Sequence, residues 1–303
     1  MKQFTFNYMQ NFKCIADKCG HSCCEKWTVN IDKRSIKKYK KIKSNFSFRI
    51  KDGIDFKGRT FKMTADGRCA FLNEKNLCDI IINQGESYLC QVCSDHPRFR
   101  SFFDGRVETG LGLCCEEASR IMLTSNDKMN IISLDDKKEK LSKKDKQILS
   151  WREGLISVVQ DRNLTINQRL NKIIQNPKIC NFLSEYKKYL FCLEVNSNVW
   201  IEHLNIIDNF DNVILDGFNP IIFEQLLSYF IFRHVSSIDD EFDLQVQVLF
   251  SVLSTLLILI MSKRLNIDVT EIAREYSVEI EYSENNLANI KDFIERNHRL
   301  GKI

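Results

Sequence analysis

Cysteine is distributed very unevenly along this chain of 303 residues. Ten of the twelve cysteines lie between Cys14 and Cys115, and the long remainder contains only Cys180 and Cys192. The ten form three groups: Cys14, Cys19, Cys23 and Cys24; then Cys69, Cys78, Cys90 and Cys93; then Cys114 and Cys115. This segregation indicates that the first third of the chain carries out a task that requires sulfur.

Clustered thiols serve two main purposes, which are metal binding and disulfide formation. Residues 1–18 lack the features of a secretory signal, so we expect a cytoplasmic, reducing setting in which disulfides are rare. The hydrophobic content of 44% also allows a sizeable core without covalent cross-links. Metal binding is therefore the favoured interpretation, with scattered structural or redox thiols and disulfides as the alternatives.

Nine of the cysteines are predicted metal ligands: Cys14, Cys19, Cys23, Cys24, Cys69, Cys78, Cys90, Cys93 and Cys115. Cys90 and Cys93 form a C-x-x-C pair, the commonest short clip for a metal or cluster. Cys115 precedes a predicted helix, whose dipole favours a thiolate. Adjacent side chains diverge in an extended chain, so one of Cys23 and Cys24 is expected to pack beside the centre. The cysteine spacing alone favours a zinc site and an iron–sulfur cluster nearly equally.

Polar side chains surround the cysteine groups. Arg98 and Arg100 are predicted to place positive charge beside an anionic cluster or the carboxylate of a bound cofactor. His21, Asp95 and His96 are candidate proton acceptors, although a lone loop histidine more often only satisfies a local hydrogen bond. The sequence has no phosphate-binding G-x-x-x-x-G-K motif, dinucleotide fingerprint or H-E-x-x-H motif. The cysteine region is therefore the best candidate for a functional site.

A strongly basic segment follows the first cysteine group. Asp32 is a good N-cap for a helix over Lys33–Lys43, where seven basic residues surround an apolar face. A solvated amphipathic helix is the simpler interpretation, and a docking surface for an acidic partner is the functional one. The net charge of the whole chain, +4, is not that of a dedicated nucleic-acid binder.

The remaining sequence is mainly helical in pattern. The charged segment 125–147 is the expected boundary between a cysteine-rich metal- or cluster-binding domain, 1–130, and a helical domain, 145–303. Apolar spacings of three and four residues predict helices throughout the second domain. Leu244–Ser262 carries no charge but recurrent polar residues, so we predict a buried central helix rather than a membrane span.

The fold class that follows is mainly α, with a small irregular α+β cysteine-rich N-terminal region and a helical C-terminal part. Within the first region, Phe99–Phe103 and Val107–Leu111 flank the turn Asp104-Gly105 and predict a β-hairpin. Outside it, Cys180 and Cys192 are predicted to pack as core residues of helices.

Several of these motifs resemble the flagellin lysine-N-methylase family. They are Phe12-x-Cys14, Cys19-Gly20-x-x-Cys23-Cys24-x-x-Trp27-x-Val29-x-Ile31-Asp32, Cys69-x-Phe71-Leu72, Leu77-Cys78, Cys90-x-x-Cys93-x-x-x-Pro97-Arg98, Gly110-Leu111-Gly112-Leu113-x-Cys115-Glu116 and Glu279-x-Glu281-x-Ser283-x-x-Asn286. The opening group is also similar to the broader cysteine-cluster proteins with a CxxCxxCC signature, with longer spacings here. The resemblance is specific in the first 120 residues and looser in the helical part.

The resemblance implies an enzyme that transfers methyl groups from S-adenosylmethionine to lysine ε-amines of flagellin or of another lysine-bearing protein. It also implies an iron–sulfur cluster of the 4Fe–4S type held by the N-terminal cysteines. Three thiolates on a cluster would leave an iron open for the amino and carboxylate groups of the cofactor. We expect a protein substrate, and neither nucleic acid nor a membrane, as partner. The alternative is a non-catalytic protein in which zinc or iron is a structural staple for a helical interaction domain.

Overall fold

The chain folds into two compact units. The computed structural model describes residues 1–25, 27–174, 179–207, 210 and 213–303. The cysteine unit is Lys13–Arg98, and the helical unit combines Met1–Phe12 with Phe99–Ile303. This division differs from the expected boundary in segment 125–147, and the pairing of the first strand gives the reason.

The helical unit contains a four-stranded sheet with the strand order β4-β5-β1-β6. Its strands are β1 (Lys2–Phe6), β4 (Arg98–Phe103), β5 (Arg106–Leu111) and β6 (Ile131–Ser133). The first strand runs parallel to β5 and antiparallel to β6. Because β1 is hydrogen-bonded to strands that follow the central cysteines, the cysteine unit is an insertion in the sequence of the helical unit. The predicted hairpin is confirmed as β4 and β5.

Nine α-helices of the helical unit lie in the described residues, and they confirm the helical C-terminal part. Their bounds are α5 (Glu116–Leu123), α6 (Lys143–Val159), α7 (Ile166–Ile174), α8 (Ile179–Leu190), α9 (Asn198–Ile206), α10 (Pro220–His234), α11 (Glu241–Leu265), α12 (Val269–Tyr276) and α13 (Glu284–Arg299). A π-helical turn, Ser277–Glu281, joins the last two. The α10 helix begins as its sequence indicates, because Asn219 accepts hydrogen bonds from Ile221 N and Ile222 N and Pro220 occupies the first turn.

The α11 helix is the centre of the helical unit, and it is apolar on all sides. Its length, and a stretch of 18 residues with a mean hydropathy of 2.2, would suit a membrane span, but 89% of that stretch is buried within the fold. The hydroxyls of Ser251, Ser254 and Thr255 donate to carbonyls one turn earlier at 2.8, 2.7 and 2.8 Å. These internal bonds satisfy the polar residues without water, so the predicted buried central helix is confirmed.

Cys192 departs from the expected core position. It follows the end of α8 and its side chain is exposed, because the helix stops at Leu190 before its thiol can turn inward. The side chain of Cys180 lies outside the described part of the chain. The expectation that both thiols pack in the core is therefore wrong for Cys192.

The cysteine unit has little regular structure. Its elements are α1 (Lys33–Tyr39), α2 (Ser47–Gly53), β2 (Ile54–Asp55), β3 (Thr60–Phe61), α3 (Asp79–Gln84) and α4 (Gln91–Asp95). The Asp32 carboxylate caps α1 by accepting from Ser35 N at 2.9 Å, as predicted. A separate small core contains aromatic residues, among them Tyr39, Phe61 and Phe71, together with two cysteines, Cys69 and Cys90. A unit this small gains much stability from any cross-link between its loops.

A buried ion pair in the helical unit yields a stability prediction. Arg152 on α6 contacts Glu108 on β5 at 2.6 Å, and both side chains are almost wholly buried. Replacing Arg152 with Ala removes one of the two arginine partners of the Glu108 carboxylate, because Arg106 Nε still donates to it at 2.7 Å, so unfolding should become easier by roughly 2–3 kcal/mol. Lys144 on the same helix is the matched control, because it pairs with Asp239 in solvent and Lys144→Ala should leave the urea midpoint nearly unchanged. Urea denaturation measures both, and equal losses would contradict the prediction.

Candidate metal centre

Four segments of the cysteine unit bring six thiols together: Cys23, Cys24, Cys69, Cys78, Cys90 and Cys93. In this six-thiol cluster, each sulfur interacts electrostatically with at least two of the others. The backbone fixes part of the arrangement, since Cys69 N donates to Cys24 O at 2.8 Å. An isolated bridge between Leu72 and Cys78 closes the next loop. Sulfurs that are up to seventy positions apart in the sequence therefore share one region of the fold.

Backbone N–H groups of following residues point at three of these sulfurs. Cys78 precedes α3 and accepts from the main chain of Ile80 and Ile81, and Cys90 precedes α4 and accepts from Val92 and Cys93. Cys69 accepts from Phe71 N. Main-chain donors of this kind stabilise thiolates and tune the metals or clusters that thiolates bind. Burial acts in the opposite direction and raises the pKa of Cys69 and of Cys78.

Two pairs of thiols share hydrogen bonds. The bond between Cys23 and Cys24 lowers the pKa of Cys23 to about 7 and raises that of Cys24. The bond between Cys90 and Cys93 likewise lowers the pKa of Cys90 to about 7 and raises that of Cys93. In each pair one sulfur keeps the proton and the other accepts it. The chain turns at residues 23–24, so these adjacent side chains meet, contrary to the divergence expected for an extended chain.

The donor set fits a soft metal in its chemistry. Thiolates are the preferred ligands of zinc and of iron–sulfur clusters, and six sulfurs exceed the four that either needs. All eleven cysteines whose side chains are described carry free thiols. Across the described residues, however, no three His, Cys, Asp or Glu side chains are already arranged to hold a metal ion. Binding would therefore require the paired thiols to lose their shared protons and turn their sulfurs inward.

The other three predicted cysteine ligands lie in different surroundings. Cys14 is exposed on the cysteine unit, and Cys19 directs its thiol to the carbonyl of His21 at 2.9 Å. Cys115 belongs to the helical unit, where it precedes α5 as predicted. Their assignment as ligands stays a prediction.

The predicted polar residues divide between the two units. Arg98 ends the cysteine unit and donates to Ser94 O at 3.4 Å, whereas Arg100 is an exposed residue of the helical unit. Asp95 accepts from the side chain of Gln91 at 2.6 Å. Burial, with a contribution from Arg98, lowers the pKa of His96 to about 4, so its imidazole is neutral near pH 7.

A second polar cluster, in the helical unit, was not predicted. Glu281 ends the π-helical turn and is fully buried. Its carboxylate accepts from Tyr229 at 2.9 Å, from Ser277 at 2.6 Å and from His234 Nε2 at 2.8 Å, and Arg233 lies 3.3 Å away. The resemblance motif around Glu279 and Glu281 was the only sequence signal for this Glu281 cluster. A π-helical turn is common at functional positions and can mark such a cluster once the structure is known.

The Glu281 cluster also fixes the segment before α5. Tyr229 Oη accepts from Leu113 N at 3.2 Å, and the hydroxyl of Tyr282 is hydrogen-bonded to the thiol of Cys114. A side chain at Gly112 would lie 2.4 Å from Tyr282 Oη, so any larger residue would have to displace the Tyr282 ring. The structure thus joins the two ends of the resemblance, Gly110–Glu116 and Glu279–Asn286, within one unit.

Opposing forces set the protonation of this cluster. Burial alone would raise the pKa of Glu281, but the Arg233 guanidinium and the His234 hydrogen bond outweigh it and lower the pKa to about 2. Burial lowers the pKa of His234 to about 4 despite the nearby carboxylate. Arg233 supplies the counter-charge, so His234 is neutral and donates its Nε2 proton.

Comparison with known proteins finds distant relatives. The chain is 28% identical over 140 residues to "Flagellar biosynthetic protein FliU" of Salmonella muenchen. This similarity covers 43% of the present chain and 83% of that protein. It is 27% identical over 140 residues to proteins named "Lysine-N-methylase" in Salmonella choleraesuis and Salmonella typhimurium. That similarity spans about a third, 35%, of each lysine-N-methylase. No family model matches the chain, and no solved structure matches it.

The protonation of the Glu281 cluster predicts a pH dependence of stability. Between pH 6.5 and pH 4 the unfolded chain binds a proton at His234 and the folded chain does not. The free energy of unfolding should therefore decrease as the pH is lowered through this range, by on the order of 3 kcal/mol. The variant His234→Gln keeps a donor for Glu281 and should remove this part of the slope. Urea denaturation across that pH range measures it, and the difference between the two proteins cancels the titrating groups that lie away from His234. Identical slopes would contradict the assignment.

Proposed function

We propose that this chain is a protein lysine N-methyltransferase that uses S-adenosylmethionine and an iron–sulfur cluster, with flagellin or another lysine-bearing protein as methyl acceptor. The observation that carries the proposal is the six-thiol cluster, found in a chain whose relatives include proteins named lysine-N-methylase. The names of the relatives support the reaction, and the sulfur-rich donor set supports the cluster. Neither a Rossmann-type loop nor a phosphate-binding loop is needed for such a cofactor site.

The cysteines of the six-thiol cluster would hold the iron, with main-chain N–H groups of α3 and α4 stabilising their thiolates. A cluster with an open iron supplies a binding point for the amino and carboxylate groups of S-adenosylmethionine. In the reaction, the bond between sulfonium sulfur and methyl carbon breaks and a bond from the lysine nitrogen to that carbon forms. The lysine must first lose its proton, because only the neutral amine has a lone pair to donate. His21, Asp95 and His96 are the candidate acceptors of that proton.

A structural metal is the second candidate function, and the small core of the cysteine unit favours it. Its short helices and two-residue strands leave most of Lys13–Arg98 in loops. One zinc bound by four thiolates would link those loops and stabilise the unit without any catalysis. The helical unit would then serve as an interaction domain.

Metal analysis separates the two functions. We expect anaerobically purified protein to be brown and to contain iron and acid-labile sulfide, because thiolate-rich sites of this size suit a cluster. Cys78→Ser and Cys93→Ser should each lose most of the colour and iron, whereas Cys192→Ser, an exposed thiol in the helical unit, should lose none. Colourless protein with stoichiometric zinc would establish the structural alternative. Loss of iron in Cys14→Ser or Cys115→Ser would add those residues to the ligand set.

Methyl transfer is the direct test of the reaction. The reconstituted protein should add methyl groups to flagellin in the presence of S-adenosylmethionine under reducing, anaerobic conditions, and intact-mass spectrometry should detect the increments. Cys93→Ser should abolish the transfer, and Cys192→Ser should leave it unchanged. If flagellin and an unrelated lysine-rich protein both remain unmodified by cluster-loaded enzyme, the methyltransferase proposal is wrong.

A further inference from the structure

A depression of about 540 Å³ on the cysteine unit is lined entirely by basic side chains. This basic groove is formed by Lys33, Arg34, Lys37, Lys38 and Lys41. All five come from α1 and the turn after it, where residues three and four positions apart lie on one face. The groove plays no part in the thiol chemistry described above.

The charge of the basic groove is not neutralised by neighbouring acids. Lys38 donates to Ser87 O and lies 4.0 Å from the centre of the Tyr88 ring, but the other four cations form no ion pair within the described residues. The sequence from Lys33 to Lys51 contains nine basic residues and no acidic one. Asp32, the nearest acid in sequence, is occupied by Ser35 N and Gln91 N.

The charge is also unevenly divided between the two units. The cysteine unit has eighteen basic and ten acidic residues, a net charge of +8, and the helical unit is left with −4. Like charges at positions i and i+4, such as Lys33 with Lys37 and Arg34 with Lys38, destabilise a helix. The run of one sign therefore gives this face an unneutralised positive charge that attracts anions.

The lining of the groove favours one class of partner. Single-stranded nucleic acids need aromatic side chains on which bases stack, and no aromatic residue lines the groove. A helix that binds an anionic membrane needs an exposed apolar face, whereas the apolar residues of α1, Ile36 and Tyr39, are buried in the core of the cysteine unit. A flexible run of carboxylates needs only the exposed ammonium and guanidinium groups that the groove presents.

We propose that the basic groove binds an acidic segment of the protein substrate. The identity of that partner as the methyl acceptor rests on the proposed function, whereas the recognition of acidic polypeptide does not. Binding through exposed charges would increase the rate of encounter and would weaken as salt screens them.

The test measures binding of a fluorescent poly-glutamate peptide to the full chain by anisotropy at several salt concentrations. The quadruple variant Lys33→Glu, Arg34→Glu, Lys37→Glu and Lys41→Glu should bind about tenfold or more weakly, since each exposed pair contributes modestly. The control reverses four exposed lysines of the helical unit, Lys128, Lys138, Lys143 and Lys146, and should bind as the wild type does. Glutamine substitutions at the four groove positions repeat the test if the reversal disturbs folding. Exchanging lysine for arginine, and arginine for lysine, at the same four positions should preserve binding, because the charge is unchanged.

Specific outcomes would overturn the proposal. Equal binding by groove and control variants would remove the groove as the site. Tighter binding of single-stranded oligonucleotide or of phosphatidylserine vesicles than of poly-glutamate would assign it to another partner. If flagellin is methylated with an unchanged KM by the groove variant, the docking inference fails while the enzymatic proposal stands. If poly-glutamate binds through the groove but no protein is methylated, the reverse holds.

Discussion

Pairing between β1 and β5 is the constraint on which the rest of this architecture depends. It joins residues such as Thr5 and Thr109, which are 104 positions apart in the sequence. Once these strands pair, the intervening residues have to leave the sheet and return to it, and Lys13–Arg98 forms a unit with its own small core. The thiols within that stretch can then approach one another only inside the inserted unit. The insertion thereby keeps the six clustered cysteines in one unit and Cys114 and Cys115 in the other.

Within the inserted unit, the sulfurs hold protons that a metal could displace. Six thiolates in one place would repel one another, and the structure avoids this by keeping protons on Cys24 and Cys93. Each proton is shared with a partner of pKa about 7, Cys23 or Cys90. A cation that displaces both protons would relieve the same repulsion with stronger bonds, and its affinity would fall at low pH. The arrangement therefore suits a soft metal without already forming its coordination shell.

The sequence predicted those features that depend on local periodicity. The helices α5 to α8 and α10 to α13, the cap at Asp32, the proline in the first turn of α10 and the hairpin of β4 and β5 follow from spacing and turn residues. The short helix α9 and the strands β1 and β6 were missed, because their partners are distant in sequence or their patterns are too brief. The expected domain boundary failed to anticipate the insertion for the same reason, since no local signal in Lys2–Phe6 reveals a partner a hundred residues later.

The Glu281 cluster was hidden by a different physical effect. In an α-helix each residue turns by about 100°, and a π-helical turn inserts one extra residue, so the side chains beyond it rotate by about that angle. The turn Ser277–Glu281 thereby orients Glu281 towards Tyr229, Arg233 and His234. A regular period of 3.6 residues would place Glu281 on a different face of the helix, so the sequence does not predict its ion pair with Arg233. A buried ion pair is seldom more stable than apolar packing, but an unpartnered charge there is strongly unfavourable. The π-helical turn resolves this conflict, because it gives the buried Glu281 carboxylate its donors and places the next residue, Tyr282, against Gly112.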